Sequence, residues 1–181
     1  MKKLLLPFFF FIAFGTFAQK IIRTEKVTDY STYVIGNGFE GAIFSKDYIP
    51  AHYDYIDSTK KRFSPSVRNI IQAEKSLLED VKLKGRGKIN DPFICANLDK
   101  YLRQYIGYVD PTGKKIIVIN FFSKGDILEE EKDHEEFPKM IRAPQWKIKW
   151  HNVADGGNFY WRIKINLSTL QLFQFRENGF G

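Results

Sequence analysis

Cysteine is all but absent from this chain. Cys95 is the only one, and a single thiol cannot close an internal disulfide, so the fold must rest on its core. Histidine is scarce as well, with His52, His134 and His151 the only three. A catalytic Cys95 needs an imidazole within reach to generate thiolate, and none stands in a recognisable peptidase context; Ile94-Cys95-Ala96 reads instead as core. Asp133-His134-Glu135-Glu136 has the residue types of a metal site without a ligand spacing, and reads as a solvated charge run. Asp155-Gly156-Gly157 is followed by a strand pattern rather than a helix, which excludes a phosphate loop and leaves a hairpin turn. No cofactor or metal is expected. Beyond residue 18 no stretch approaches the roughly 20 apolar residues that cross a bilayer, and there is neither an internal repeat nor a low-complexity segment.

What the chain does have begins at its start. Met1-Lys2-Lys3 is a positive n-region, residues 4–14 are apolar apart from Pro7, and Gly15-Thr16-Phe17-Ala18 offers small residues to a signal peptidase. The reading is a cleavable signal peptide over 1–18, cut between Ala18 and Gln19, and a secreted or periplasmic destination. Cys95 lies far from the cut, so there is no cysteine at the cleavage site to acylate and no lipid anchor is implied. Removing Lys2 and Lys3 lowers the formal charge from +7 to +5. That excess favours acidic partners by long-range attraction without indicating nucleic acid.

Residues 19–62 read as short strands and a loop, and 63–181 as a helix-on-sheet domain, the two forming one globular unit of ordinary domain size. Tyr33-Val34-Ile35 and Ala42-Ile43-Phe44 look like strands separated by Gly36-Asn37-Gly38 and Gly41, and 50–61 like an aromatic loop holding His52, Tyr53 and Tyr55. Ser64 as N-cap and Pro65 as first helical residue introduce an apolar stripe at Val67, Ile70, Ile71, Leu77, Leu78 and Val81, one face of an amphipathic helix stopped by Gly85 and Gly87. Residues 101–109 and 114–123 flank the turn sequence Asp110-Pro111-Thr112-Gly113 and form a hairpin. The acidic stretch around 129–136 is a solvated excursion. Residues 146–153 alternate, as do 158–166, and 170–176 complete a meander. The expected class is α+β: one long amphipathic helix packed on a curved antiparallel sheet of four to five strands.

That element order resembles the cystatin-like and nuclear-transport-factor-two-like superfold over residues 63–181. Residues 101–122, together with Asp155-Gly156-Gly157-Asn158-Phe159-Tyr160, are also similar to small exported Bacteroidota-type proteins of unassigned function, and Phe17-Ala18-Gln19 suits such a leader. Cystatins inhibit peptidases through an N-terminal glycine, a Gln-x-Val-x-Gly hairpin and a Pro-Trp hairpin. Here the first hairpin tip is Asp110-Pro111-Thr112-Gly113 and there is no Pro-Trp pair, so the resemblance does not carry that inhibitory mode with it.

One surface stands out. If Trp146, Trp150, Phe159 and Trp161 face the helix, alternation sends Lys147, Lys149, His151, Tyr160, Arg162 and Lys164 to the opposite face, joined in suitable register by Arg103 and Tyr105. Aromatic area beside forked and point cations suits an acidic partner, although any half-buried sheet also needs a polar face. The expectation is a non-enzymatic exported binding module that contacts a protein or an acidic envelope polymer. The alternatives are a pocket enzyme using inward-pointing Glu74, Gln104 or Asn120, and a peptidase inhibitor or immunity protein.

Overall fold

The structure is a computed structural model, and it describes residues 19–49, 60–127 and 144–179. The leader over 1–18, the loop residues His52, Tyr53 and Tyr55, and the acidic stretch with His134 lie outside the described residues. The strands are β1 (Ile21–Lys26), β2 (Ser31–Gly36), β3 (Phe39–Phe44), β4 (Arg62–Phe63), β5 (Tyr101–Val109), β6 (Lys115–Ser123), β7 (Tyr160–Asn166) and β8 (Leu172–Glu177). The α-helices that lie wholly within the described residues are α1 (Val67–Val81), α2 (Pro92–Ala96) and α3 (Gln145–Ile148).

All eight strands join one sheet in the order β1-β2-β3-β5-β6-β7-β8, with β4 pairing β5. β2 and β3 are closed by a two-residue turn at Asn37-Gly38, where Gly38 takes φ +73°, a conformation glycine adopts without steric cost. β3 then pairs β5 in parallel, from Glu40 opposite Leu102 to Ile43 opposite Tyr105. Gly41 permits this close approach, because a Cβ there would sit 2.6 Å from the Arg103 carbonyl oxygen. Every other pairing is antiparallel.

This corrects the expected cystatin-like architecture. The protein is dominated by a large mixed sheet rather than by a helix on four to five antiparallel strands, and α1 is the only helix longer than two turns among the described residues. Two features hid this. β1 exposes five of its six residues, so it carries no apolar alternation to announce a strand. The parallel β3–β5 contact joins strands nearly sixty positions apart, a non-local pairing that hairpin patterns do not reveal.

The helix begins one turn signal later than its sequence suggests. Ser66, not Ser64, is the N-cap: its hydroxyl accepts from Asn69 N–H at 3.3 Å while Asn69 Oδ1 accepts from Ser66 N–H at 3.0 Å, a reciprocal capping box. After Val81 the chain folds back, and the Asp80 carboxylate accepts from the amides of Lys88 and Ile89.

Both sheet faces are covered, which the single-helix expectation did not allow. On the helix face, Ile70, Ala73 and Leu77 pack against Tyr101, Tyr105, Ile117, Ile119, Phe121, Trp161, Ile163 and Ile165. Trp161 is fully buried, stacked on Phe121 with ring centroids 3.6 Å apart. On the second face, Trp146 and Trp150 pack with Tyr33, Phe44, Leu102 and Phe122. The expected strand over 146–153 is thus replaced by α3 and an extended segment, and its indoles are buried on the face opposite α1. Asp155-Gly156-Gly157 is consequently a turn leading from that segment into a 3-10 turn and β7, not a hairpin. Phe159 in that 3-10 turn is 46% exposed rather than inward.

Candidate functional site on the second sheet face

Two polar groups buried in mid-sheet explain why 144–151 forms a cover instead of a strand. Gln104 on β5 and Asn120 on β6 are directly paired and both point to the second face. Gln104 Nε2 donates to the carbonyls of Trp146 (2.6 Å) and Lys149 (2.7 Å), and its Oε1 accepts from His151 N–H at 2.8 Å. Asn120 Nδ2 donates to the His151 carbonyl at 2.7 Å and to Gln104 Oε1 at 3.2 Å. Trp150 N–H donates to the Tyr48 hydroxyl at 2.7 Å. The segment's backbone groups therefore find partners without a ladder, as burial demands. This clamp covers the half of the second face nearest β2 and β3.

The eight residues nominated from the sequence separate into three groups. Arg103 and Tyr105 lie on the helix face and are buried, a correction to their expected placement on an open surface: strand alternation in β5 aligns them with Tyr101, and the β5–β6 register sets them opposite Phe121 and Ile119. Arg103 Nε lies 3.2 Å from Glu74 Oε1, its two terminal nitrogens donate to the carbonyls of Tyr101 and Leu98, and the Tyr105 hydroxyl donates to Glu74 at 2.7 Å. Burial pushes the Glu74 carboxyl above its ordinary value, against the opposing pull of Arg103 and of the Tyr105 hydroxyl. Lys147, Lys149 and His151 belong to the clamped cover. Lys147 Nζ sits 3.7 Å from the centroid of Tyr33, Lys149 is exposed, and the His151 ring lies against Phe122 and Tyr160.

Tyr160, Arg162 and Lys164 do face away from α1, and they meet partners that the sequence reading did not name. Further along the second face the buried Tyr108 has two ammonium groups over its ring, Lys60 Nζ at 4.6 Å and Lys164 Nζ at 5.6 Å from the centroid. Burial, and then repulsion from Lys60, holds the Lys164 ammonium below its usual pKa. Arg162 on β7 stands directly opposite Arg176 on β8, an arrangement of like charges that a sheet does not favour by itself. Arg162 also donates to Asn178 Oδ1 at 3.3 Å. Between Arg162 and Lys164 the register slips, so Gln174 and Phe175 together oppose one residue of β7. Gln174 takes φ +51° at this bulge, a conformation that costs a residue with a Cβ about 1–3 kcal/mol. The result is a concavity of about 430 Å³ lined by Val118, Arg162, Lys164, Gln174, Phe175 and Arg176, with no carboxylate among the described lining residues.

A larger hollow of about 820 Å³ lies between the end of α1 and the β7–β8 turn, with Glu79, Asp80 and Asp110 in its wall. Size does not make it the better site. Asp80 is engaged with the Lys88 and Ile89 amides, Asp110 with those of its own turn, and Glu79 with Lys75, so its acids do not converge on a vacant point. The groups weighed for catalysis do not converge either. Glu74 lies on one face and Gln104 and Asn120 on the other, each already engaged. The Cys95 thiol donates to the Ile89 carbonyl at 3.4 Å, and burial raises its pKa, opposite to the shift that makes a nucleophile.

No family model, curated protein or solved structure matches this chain. The class defined by the geometry alone is a mixed-sheet protein with a helix on one face and, on the other, a clamped cover beside a basic concavity. Among the described residues, no helix is long and apolar enough to cross a membrane.

Proposed function

We propose that this protein is an exported, non-enzymatic binding module whose basic concavity on the second sheet face takes a carboxylate-bearing partner, either an acidic envelope polymer or an acidic protein segment. The carrying observation is the Lys60–Tyr108–Lys164 stack beside the Arg162–Arg176 pair. Clustered cations attract an anion more strongly than any one of them does, and the Lys164 ammonium, held below its usual pKa first by burial and then by Lys60, gains from a carboxylate brought beside it. The half-buried Phe175 borders the concavity and offers apolar area to the partner's aliphatic parts. Guanidinium forks give two-point contact and the ammonium groups give reach. The leader read over residues 1–18 supports export.

The test uses poly-L-glutamate as the probe and compares the full chain's product with Lys60→Glu combined with Lys164→Glu. The affinity should fall at least about tenfold at low salt, the equivalent of about 1.4 kcal/mol, and wild-type binding should weaken as salt rises. Unchanged affinity in the double variant overturns the assignment.

A further inference from the structure

The sheet has an open edge among the described residues. β1 pairs with β2 on one side, and no described strand pairs its other side. Val27 N–H donates to the Ser31 carbonyl, which fixes the phase of the β1–β2 ladder. Alternation then turns the peptide groups of Glu25 and Arg23 toward β2 and those of Thr24 and Lys26 outward. The outward row is short and its side chains are exposed: Ile22 is 67% exposed, and Arg23 and Glu25 form an in-chain ion pair with side chains 61% and 51% exposed.

We propose that β1 pairs antiparallel with β1 of a second copy of this chain, about a two-fold axis at Thr24. The occupant is selected by charge and by ladder phase together. With the axis at Thr24, the outward peptide groups of Thr24 meet their own equivalents, and Arg23 stands opposite Glu25 of the second copy, twice by symmetry. The two in-chain ion pairs then close into a quartet of alternating sign. Moving the axis one residue to Arg23 or to Glu25 keeps the hydrogen-bonding phase but sets like charges face to face, which antiparallel pairs disfavour. An axis between residues would oppose an outward peptide group to an inward one and lose the bonds. Ile22 meets Lys26 of the second copy, whose methylene stem can cover it. Among the axes at Arg23, Thr24 and Glu25 only the one at Thr24 satisfies both requirements, and it is self-complementary, as an interface with two-fold symmetry must be. Charged residues on an edge strand usually deter pairing. Here the order Arg-Thr-Glu makes them complementary to their own reversed copy, so they deter other strands and admit this one. The inference does not depend on the anion-binding reading.

Sedimentation of the protein recovered from full-chain expression, without polyanion, tests it from micromolar to millimolar concentration. The wild-type mass should rise from one copy to two. Arg23→Glu and Glu25→Arg should each weaken association at least about tenfold, and the two combined should restore it, because the exchanged charges are again complementary. Thr24→Pro removes an outward N–H that β2 does not use and should abolish pairing, with unchanged circular dichroism showing that the fold survives. Lys164→Glu should associate like wild type. A wild-type chain that stays monomeric throughout overturns the proposal, as does association that ignores the single reversals or is not regained in the exchange. If Thr24→Pro fails to fold, the charge exchange decides alone.

Discussion

The two faces of this sheet are built from the same strands, residue by alternate residue, yet they bury their surface by different means. On the helix face, aliphatic and aromatic side chains of β5, β6 and β7 meet α1, and the one charged cluster, Glu74 with Arg103 and Tyr105, is closed within the layer. On the second face a segment with little regular structure is held by two side-chain amides, and beside it Arg162, Lys164 and Arg176 line a concavity while Lys60 and Lys164 lie over the buried Tyr108 ring. A helix satisfies its own backbone and needs only an apolar partner. An irregular cover must borrow hydrogen bonds, here from Gln104, Asn120 and the Tyr48 hydroxyl.

Breaking the sealed face should cost most. Glu74→Ala leaves the Arg103 guanidinium buried beside an empty site and should lower unfolding free energy by about 3–5 kcal/mol, measured by denaturant titration. Breaking the clamp should cost less and act locally. Gln104→Ala strands three backbone groups of the cover, and a loss of about 1–3 kcal/mol is expected. Hydrogen exchange should accelerate at the Trp150 and His151 amides while α1 keeps its protection; equal acceleration in α1 would contradict a two-sided architecture.

Glu74 also gives the sealed face a pH signature. Its pKa in the folded protein is raised above the ordinary 4.5, so the folded chain holds that proton more tightly than the unfolded one. The stability from this group is full at low pH and is lost as pH climbs from the ordinary carboxyl value through the raised one. Glu74→Gln should flatten that part of the stability profile, and an unaltered slope would remove Glu74 as its source. The smallest effect on stability belongs to the basic concavity: Lys60→Glu with Lys164→Glu should change unfolding free energy by about 1 kcal/mol while abolishing most polyanion binding.

Much of this comparison was legible in the residues, and the gaps have physical causes. The alternation of Trp161, Ile163 and Ile165 with Tyr160, Arg162 and Lys164 places β7 correctly because a period of two survives any tertiary context. The same pattern misleads at 146–153, where Trp146 and Trp150 are apolar at strand spacing but are held by Gln104 and Asn120, partners more than twenty-five positions away that no local rule connects. Arg103 and Tyr105 look like surface residues by type. Their burial follows from one carboxylate on α1, and a charged residue at a helix's apolar stripe was the available signal. Lys60 and Tyr108 escaped notice because the site forms only when β4 folds alongside β5. The strand count failed where pairing was non-local or the strand was polar on both faces.

The basic concavity is tested most directly by following backbone amide shifts while poly-L-glutamate is added. The account predicts that Tyr108, Val118, Lys164 and Arg176 move together and saturably while the α1 amides stay still. It is contradicted if the moving signals instead belong to the exposed basic loop holding Lys82, Lys84, Arg86 and Lys88.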